Sequence, residues 1–323
     1  MRAIVVPHPG GPGVFRYERE RPVPTPGPDQ VLIRVRAFGL NRAELFTRQG
    51  HSPGVEFPRV IGIECVGEVA EDPSGRFAAG TTVATMMGGM GRQYDGSYAE
   101  YTVVPIDQVL PVQTGLSWER LGALPEMYQT AQGSLRQALR SESQSGKTLF
   151  VRGGTSSVGL AAIALARSYG LRVLASTRQS DRFELLKEQG ADVPVLDHGG
   201  ELADEIHALG GADYVLELIG TRTLDDSLNC LVAGGRVCVT GILAGEWELN
   251  AWNPMAQIPS GCYLTAYSGT GMAAEDLQAI VDAVEADELF VRTDRVFGFD
   301  EIVAAHEYME ANRATGKLVV RVD

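Results

Sequence analysis

Thr148–Gly170 reads TLFVRGGTSSVGLAAIALARSYG, an apolar run that meets a glycine-and-serine turn and passes without a break into a helical pattern. Leu149, Phe150 and Val151 are bulky and apolar and are followed at once by Gly153 and Gly154, as in a strand buried on both faces. Beyond the turn, Val158, Leu160, Ala161, Ile163, Ala164, Leu165 and Ala166 supply an apolar face at helical spacing, with alanines suited to close packing on a sheet. The helix therefore opens directly after the turn. Its first N–H groups and the positive end of its dipole make a site for a pyrophosphate. Gly153, Thr155, Ser156, Ser157 and Val158 are the residues that would touch it, the hydroxyls as added donors. The match to G-x-G-x-x-G is incomplete: Gly153, Thr155 and Ser156 cover its first part, and Gly159 stands where the helix-packing glycine belongs. An ordinary strand-to-helix turn without a ligand would read the same way up to this point.

The next strand favours the ligand. Leu171–Ala175 (LRVLA) makes the unit βαβ, and the adenosine ribose of a dinucleotide belongs at that strand's end. There the chain reads Ser176, Thr177, Arg178, with no carboxylate before Asp181. An NAD site places an acid here for the 2′-hydroxyl, whereas hydroxyls and a guanidinium suit a 2′-phosphate, so the reading is NADP(H). Arg182 is a second candidate for that phosphate, the alternative being a solvated helix-start residue.

At 323 residues the chain is long for one core, and two domains are expected. The balance of 41 acidic against 28 basic residues, a net charge of −13, argues against nucleic acid or an anionic membrane as partner. No apolar run is long enough for a signal sequence or a membrane span, so a cytoplasmic protein is the default expectation. Cys65, Cys230, Cys238 and Cys262 lie scattered in apolar contexts without C-x-x-C spacing and read as buried free thiols.

Residues 1 to about 120 read as β-rich, with Val31, Ile33 and Val35 alternating and Pro22, Pro24, Pro26 and Pro28 forming an extended lead-in. After Gly122 the periodicity turns helical. Strands are expected at Leu149–Val151, Arg172–Ala175, Val193–Leu196, Tyr214–Leu216, Arg236–Thr240 and Tyr263–Ala266, which with helical connections predict an α/β fold with a Rossmann doubly wound parallel sheet. Ala274–Glu288 and Glu301–Asn312 then read as helices and Lys317–Val322 as a last strand, returning to the first domain. The division is thus 1–122, 123–267 and 268–323.

Six segments in one order carry a resemblance: VLIRVRAFGLNRAEL (31–45), PRVIGIECVGEV (58–69), DGSYAEY (95–101), GGTSSVG (153–159), LVAGGRVCVTG (231–241) and TGKLVV (315–320). Over nearly its whole length the chain resembles the medium-chain dehydrogenase/reductase superfamily, in the zinc-free quinone oxidoreductase branch that includes ζ-crystallin-like proteins. The resemblance implies a GroES-like β-rich catalytic domain built from both chain ends, a central Rossmann NADP-binding domain, an active site in the cleft between them, and a homodimer through the Rossmann sheet edge.

By register with zinc-dependent relatives, the metal positions correspond to Asn41, Ile63 and Glu126. Isoleucine cannot ligate and asparagine is a poor zinc ligand, so no catalytic zinc is expected. Without a Lewis acid nothing stabilises an alkoxide, but hydride from NADPH can add to a quinone or an enone, whose oxyanion is stabilised by conjugation and hydrogen bonds. For that chemistry the resemblance points to Asn41 as holder of a substrate oxygen or the cofactor. It points to Arg48 as a charge for the developing anion, with a solvated surface charge as the alternative, and to Tyr128 and Thr130 on the nicotinamide side. Gly220, Gly241, Ile242 and Leu243, past successive strands, belong to the nicotinamide half of the cofactor site. Lys317 matches a family position near the cofactor, with a surface residue as the alternative, and Tyr128 reads equally as a core aromatic. Phe46 stands where several quinone reductases carry tyrosine, which removes a proton donor. Glu44 and Glu64 read as hydrogen-bonded structural carboxylates.

Other classes fit less well. Gly146-Lys147-Thr148 echoes the end of a P-loop, but it precedes its strand and Ser141 replaces the first glycine. Gly154–Val158 lacks the closing glycine of a nucleophile elbow. His198, His207 and His306 have no supporting motif and read as surface or helix residues. Two hypotheses of different class remain, an NADPH-dependent reductase of quinones or activated alkenes and an NADPH-binding protein of little turnover with a sensing or structural role. A zinc alcohol dehydrogenase is a third. The acceptor is a small molecule whose identity rests on loops such as Met86–Gln93.

Overall fold

The βαβ unit is present in the computed structural model as β1 (Thr148–Arg152), α1 (Ser157–Ser168) and β2 (Arg172–Thr177). The structure describes residues 1–269 and 271–323. Every residue of β1 is buried, as its uninterrupted bulky run requires, and α1 packs Leu160, Ile163 and Leu165 among alanines toward the sheet. The sheet continues with β3 (Val193–Leu196), β4 (Ala212–Glu217), β5 (Leu231–Val239) and β6 (Tyr263–Ala266). All six strands are parallel, in the order β3-β2-β1-β4-β5-β6. The order reverses between β1 and β4, so ligands are expected at the carboxyl edge beside that point. β5 starts five residues earlier than expected because Leu231 pairs with Ala212 ahead of a register shift.

By its contacts the chain divides into Met1–Glu126 with Thr270–Asp323, and Met127–Gly269. Glu126 stays with the first unit, its N–H donating to Glu64 Oε2 at 2.8 Å. In that unit Gln30–Leu40 is the central strand, pairing antiparallel with Glu64–Glu71, Tyr101–Pro105 and Lys317–Arg321. Its burial is therefore nearly continuous where alternation alone suggested a half-exposed strand. Because Leu318 pairs with Leu40, the last strand brings Lys317 to the end of the central one, next to Asn41. The two late helices run Ala274–Glu285 and Ile302–Glu310, each shorter than expected at its C-terminus.

Candidate active site

The turn between β1 and α1 is tied to the end of β2. Gly153 N–H donates to Ser176 Oγ at 3.1 Å and Gly154 N–H to the Ser176 carbonyl at 2.9 Å. Ser156 caps α1: its Oγ accepts the Gly159 N–H at 3.1 Å and donates to the Gly153 carbonyl at 2.8 Å. A Cβ at Gly159 would lie 2.6 and 2.8 Å from the carbonyl oxygens of Gly153 and Gly154, so the helix sits as close to the turn as a glycine allows. Ser156 and Ser176, expected as phosphate ligands, thus hold the loop itself. The half-buried Ser157 and Val158 supply first-turn N–H groups without intrahelical acceptors, with Thr155 beside them.

Thr177 is buried, its Oγ1 accepting the Gln179 N–H at 3.3 Å. Arg178 is exposed and, among the described residues, makes no ion pair. Arg182 is half-buried in a helical turn at Ser180–Arg182. At the ends of β4 and β5, Gly220 lies against Gly241 and Ile242, and Gly153 lies against Ile219 and Leu243. The glycines expected at the cofactor are therefore gathered at one edge of the sheet. A Cβ at Gly241 would stand 2.4 Å from the Leu218 carbonyl, so this close approach admits no side chain.

Tyr128 is fully buried and its phenol is pushed up by burial, so the structure gives it to the core. Thr130 Oγ1 donates to Gln129 Oε1 at 3.2 Å, and Gln129 Nε2 donates to Tyr267 Oη at 2.6 Å.

The first unit contains a buried ionic cluster. Glu44 reaches back over the start of the helix Arg42–Arg48, Asn41 N–H donating to Glu44 Oε2 at 2.9 Å. Lys317 Nζ donates to Asn41 Oδ1 at 2.5 Å and pairs with Glu64 Oε1 at 2.7 Å, with Glu126 at 3.9 Å. Asn41 Nδ2 donates to Glu64 at 2.9 Å and to Glu44 at 3.3 Å. Both amide hydrogens are thus engaged, so Asn41 has no donor left for an oxyanion. It keeps one Oδ1 lone pair. Burial, then the charge of Glu64, raises the Glu44 carboxyl to about 7, against the opposing effect of Lys317. Burial works to lower the Lys317 ammonium, but Glu64 and Glu126 outweigh it and leave it raised. Lys317 is neither a surface residue nor free to meet a cofactor.

Arg48 is also withdrawn from solvent. Its guanidinium is fully buried and bonded to Glu310, to His306 Nδ1 at 2.9 Å and to the Gly10 carbonyl at 3.1 Å. The expected role on a developing anion is corrected by these bonds, which use the charge inside the core. His306 is likewise buried, and of the two readings it is the helix one that holds, on Ile302–Glu310. Because arginine only donates, His306 Nδ1 accepts, and Nε2–H donates to Tyr98 Oη at 2.9 Å. Burial and Arg48 hold that imidazole well below its ordinary value. Phe46, half-buried, adds no donor.

A second buried group escaped the sequence reading. Arg152, the last residue of β1, is fully buried with Asp197, Asp226 and Glu217 around it. An arginine inside an apolar strand was the available signal. Burial raises the Glu217 carboxyl although Ser227 and Thr223 donate to it. Among the described residues no group of three or more His, Cys, Asp or Glu side chains is placed to hold a metal. No helix among them is long and apolar enough to cross a membrane.

The geometry agrees with the comparisons. Two family models match, the alcohol dehydrogenase GroES-like domain over residues 27–114 and the zinc-binding dehydrogenase over residues 189–320. Human quinone oxidoreductase is 29% identical, covering 99% of this chain and 97% of its own. The chain belongs to the medium-chain dehydrogenase/reductase superfamily, in its quinone oxidoreductase-like branch. Within that superfamily, the acryloyl-coenzyme A reductase of Sulfurisphaera tokodaii is 29% identical over 75% of this chain and 77% of its own. A mycobacterial relative solved in complex with NADPH is 26% identical, with a TM-score of 0.87 over 100% of both chains. The quinone oxidoreductase of Coxiella burnetii, also 26% identical, has a TM-score of 0.87 over 100% of this chain and 99% of its own. The fold is accordingly a six-stranded Rossmann-like sheet with a separate β-rich GroES-like domain, and the protein is an NAD(P)H-dependent oxidoreductase.

Proposed function

We propose that this quinone oxidoreductase-like enzyme transfers hydride from NADPH to a quinone or an activated alkene without zinc. The observation that carries the zinc-free reading is the Lys317 ammonium, bonded to Asn41 and Glu64 and 3.9 Å from Glu126. Of the three positions that match zinc ligands, one is isoleucine and the other two already face a fixed cation, so the residues do not fit a second one. A conjugated acceptor suits such a site, because its oxyanion is delocalised and asks less of the protein.

The glycine-lined carboxyl edge of the parallel sheet fits a dinucleotide. When bound, the reduced nicotinamide supplies the hydride. Ser157 and Val158 offer N–H groups to the pyrophosphate, and Arg178, with Arg182 as a second cation, meets the 2′-phosphate. Gly220, Gly241, Ile242, Leu243 and Thr130 border the nicotinamide half. Asn41 can accept a hydrogen bond from a hydroxyl or amide through its remaining lone pair. The acryloyl-coenzyme A reductase relative supports the activated-alkene alternative.

A second reading, an NADPH-binding protein of little turnover, is favoured by one observation: Arg48 and Tyr128, two of the three residues expected for catalysis, are both in the core. NADPH consumption with a quinone panel and an enone, with NADH in parallel and a chelator present, separates the two. Chelator-resistant turnover that prefers NADPH supports the reductase. Tight NADPH binding without turnover on any acceptor replaces it with the sensor, and stoichiometric metal with chelator-sensitive turnover replaces it with the zinc alcohol dehydrogenase.

A homodimer through the sheet edge is part of the proposal. β6 is an edge strand, and Tyr263 on it is exposed, as are Trp247, Leu249 and Met255 in the preceding segment. Light scattering at micromolar protein reads this directly. Four free cysteines support a reducing compartment such as the cytoplasm.

A further inference from the structure

The parallel register pairs Leu196 of β3 with Thr177 of β2, and Asp197 N–H donates to the Thr177 carbonyl at 2.8 Å. The next residues, Asp197 and Arg178, therefore leave the sheet side by side. An acid in that position is awkward for a site that takes a 2′-phosphate, because it would repel the phosphate or pair with the arginine meant for it. It does neither here. Arg152 reaches it from the end of β1, Nε donating to Asp197 Oδ2 at 2.9 Å. Nη1 is shared among Asp226 Oδ2 at 2.6 Å, Ser227 Oγ at 3.1 Å and the Thr223 carbonyl at 3.2 Å, and Nη2 donates to the Gly200 carbonyl at 2.7 Å. Asp197 is turned inward and almost fully buried, while Arg178 stays exposed without an ion pair among the described residues.

Resting on the NADPH reading above, we infer that Arg152 is a positioning residue for cofactor preference: it sequesters Asp197 and so leaves Arg178 for the 2′-phosphate. Arg152 touches no cofactor atom in this scheme and acts through its neighbour. Without it, Asp197, Asp226 and Glu217 would stand at the carboxyl edge with their cation removed. The effect falls on the cofactor that carries the extra phosphate, so the NADPH-to-NADH ratio reports it where a loss of stability alone would not.

The test measures dissociation constants of NADPH and NADH by cofactor fluorescence for the full chain and for Arg152→Met, Asp197→Asn and the double variant. Arg152→Met is expected to lower the NADPH preference by about tenfold, the size of one charge interaction near a protein surface. The double variant removes acid and base together and is expected to recover most of that preference. Asp197→Asn alone is expected to move the ratio by less than about threefold, since the charge it removes is already neutralised. Equal weakening of both cofactors in Arg152→Met, or no recovery in the double variant, overturns the inference. Should Arg152→Met not fold, a gain of NADPH preference of about tenfold in Asp197→Asn overturns it as well, because Asp197 would then be felt despite its partner. Wild-type protein that binds NADH as tightly as NADPH overturns the NADPH reading itself, and the inference with it.

Discussion

Replacing Glu44 by glutamine isolates a perturbed carboxyl in the buried cluster. In the folded chain Glu44 is raised from 4.5 to about 7, by burial first and by the charge of Glu64 second. The folded state therefore holds a proton that the unfolded chain releases between those values, and stability falls as pH rises through the interval. At about 1.36 kcal/mol per pH unit the full interval is worth about 3 kcal/mol, present below the unfolded value and lost above about 7. Between pH 5 and pH 8 most of that change is traversed, about 2 to 3 kcal/mol. The substituted amide cannot ionise. Its single carbonyl oxygen can accept only one of the two N–H groups that Glu44 takes on separate oxygens, Asn41 on Oε2 and Ile63 on Oε1, and the cost of the other is constant with pH. Urea unfolding followed by Trp118 fluorescence, with Trp247 and Trp252 changed to phenylalanine, reads the unit that contains Glu44. Wild type is expected to lose about 2 to 3 kcal/mol relative to Glu44→Gln from pH 5 to pH 8. Parallel pH profiles for the two proteins would refute the reasoning, since Glu44 would then be ionised throughout.

Other expectations concern the same two sites. Lys317→Met leaves Glu64 buried without its cation and is expected to cost about 3 to 5 kcal/mol in denaturant unfolding, with acetate or chloride making no difference. Gly159→Ala puts a methyl group against the carbonyls of Gly153 and Gly154, and calorimetry is expected to show NADPH binding weakened at least about tenfold, as about 1.4 kcal/mol of loop strain would give. Ser156→Ala removes the cap of α1 and is expected to lower stability by about 1 kcal/mol, measured by urea midpoint. Arg178→Ala is expected to raise KM for NADPH about tenfold with NADH little changed; an equal rise in both would remove it from the 2′-phosphate site.

Much of the nucleotide-binding unit was legible in the residues because its information is local. A bulky run of strand length, small residues at a turn and an alanine-rich helix specify β1, the turn and α1 without reference to distant parts of the chain. The strand ends were less legible, as at β5, where pairing with Ala212 extends the strand through Gly234 and Gly235. Gly153, Gly220 and Gly241 gather at one edge of the sheet with Ile242 and Leu243, but what each motif residue does was a tertiary matter. Ser156 and Ser176 carry the hydroxyls a phosphate site wants, and only the folded turn shows those hydroxyls bonded to the loop.

The same division holds in the β-rich unit. The residues by themselves specified a two-part α/β chain and a small-residue turn between a buried strand and an alanine-rich helix. Tertiary structure decided the charges. Lys317 lies 276 positions from Asn41 and meets it because the last strand pairs with the central one. Arg48 reaches His306 and Glu310 across a helix pair, and Arg152 reaches Asp197 across the end of β2. A charged side chain has the same letter whether it is solvated or paired in a core. Which of these it is depends on partners that only the fold brings within hydrogen-bonding distance, and on the loss of water that makes each such pairing obligatory.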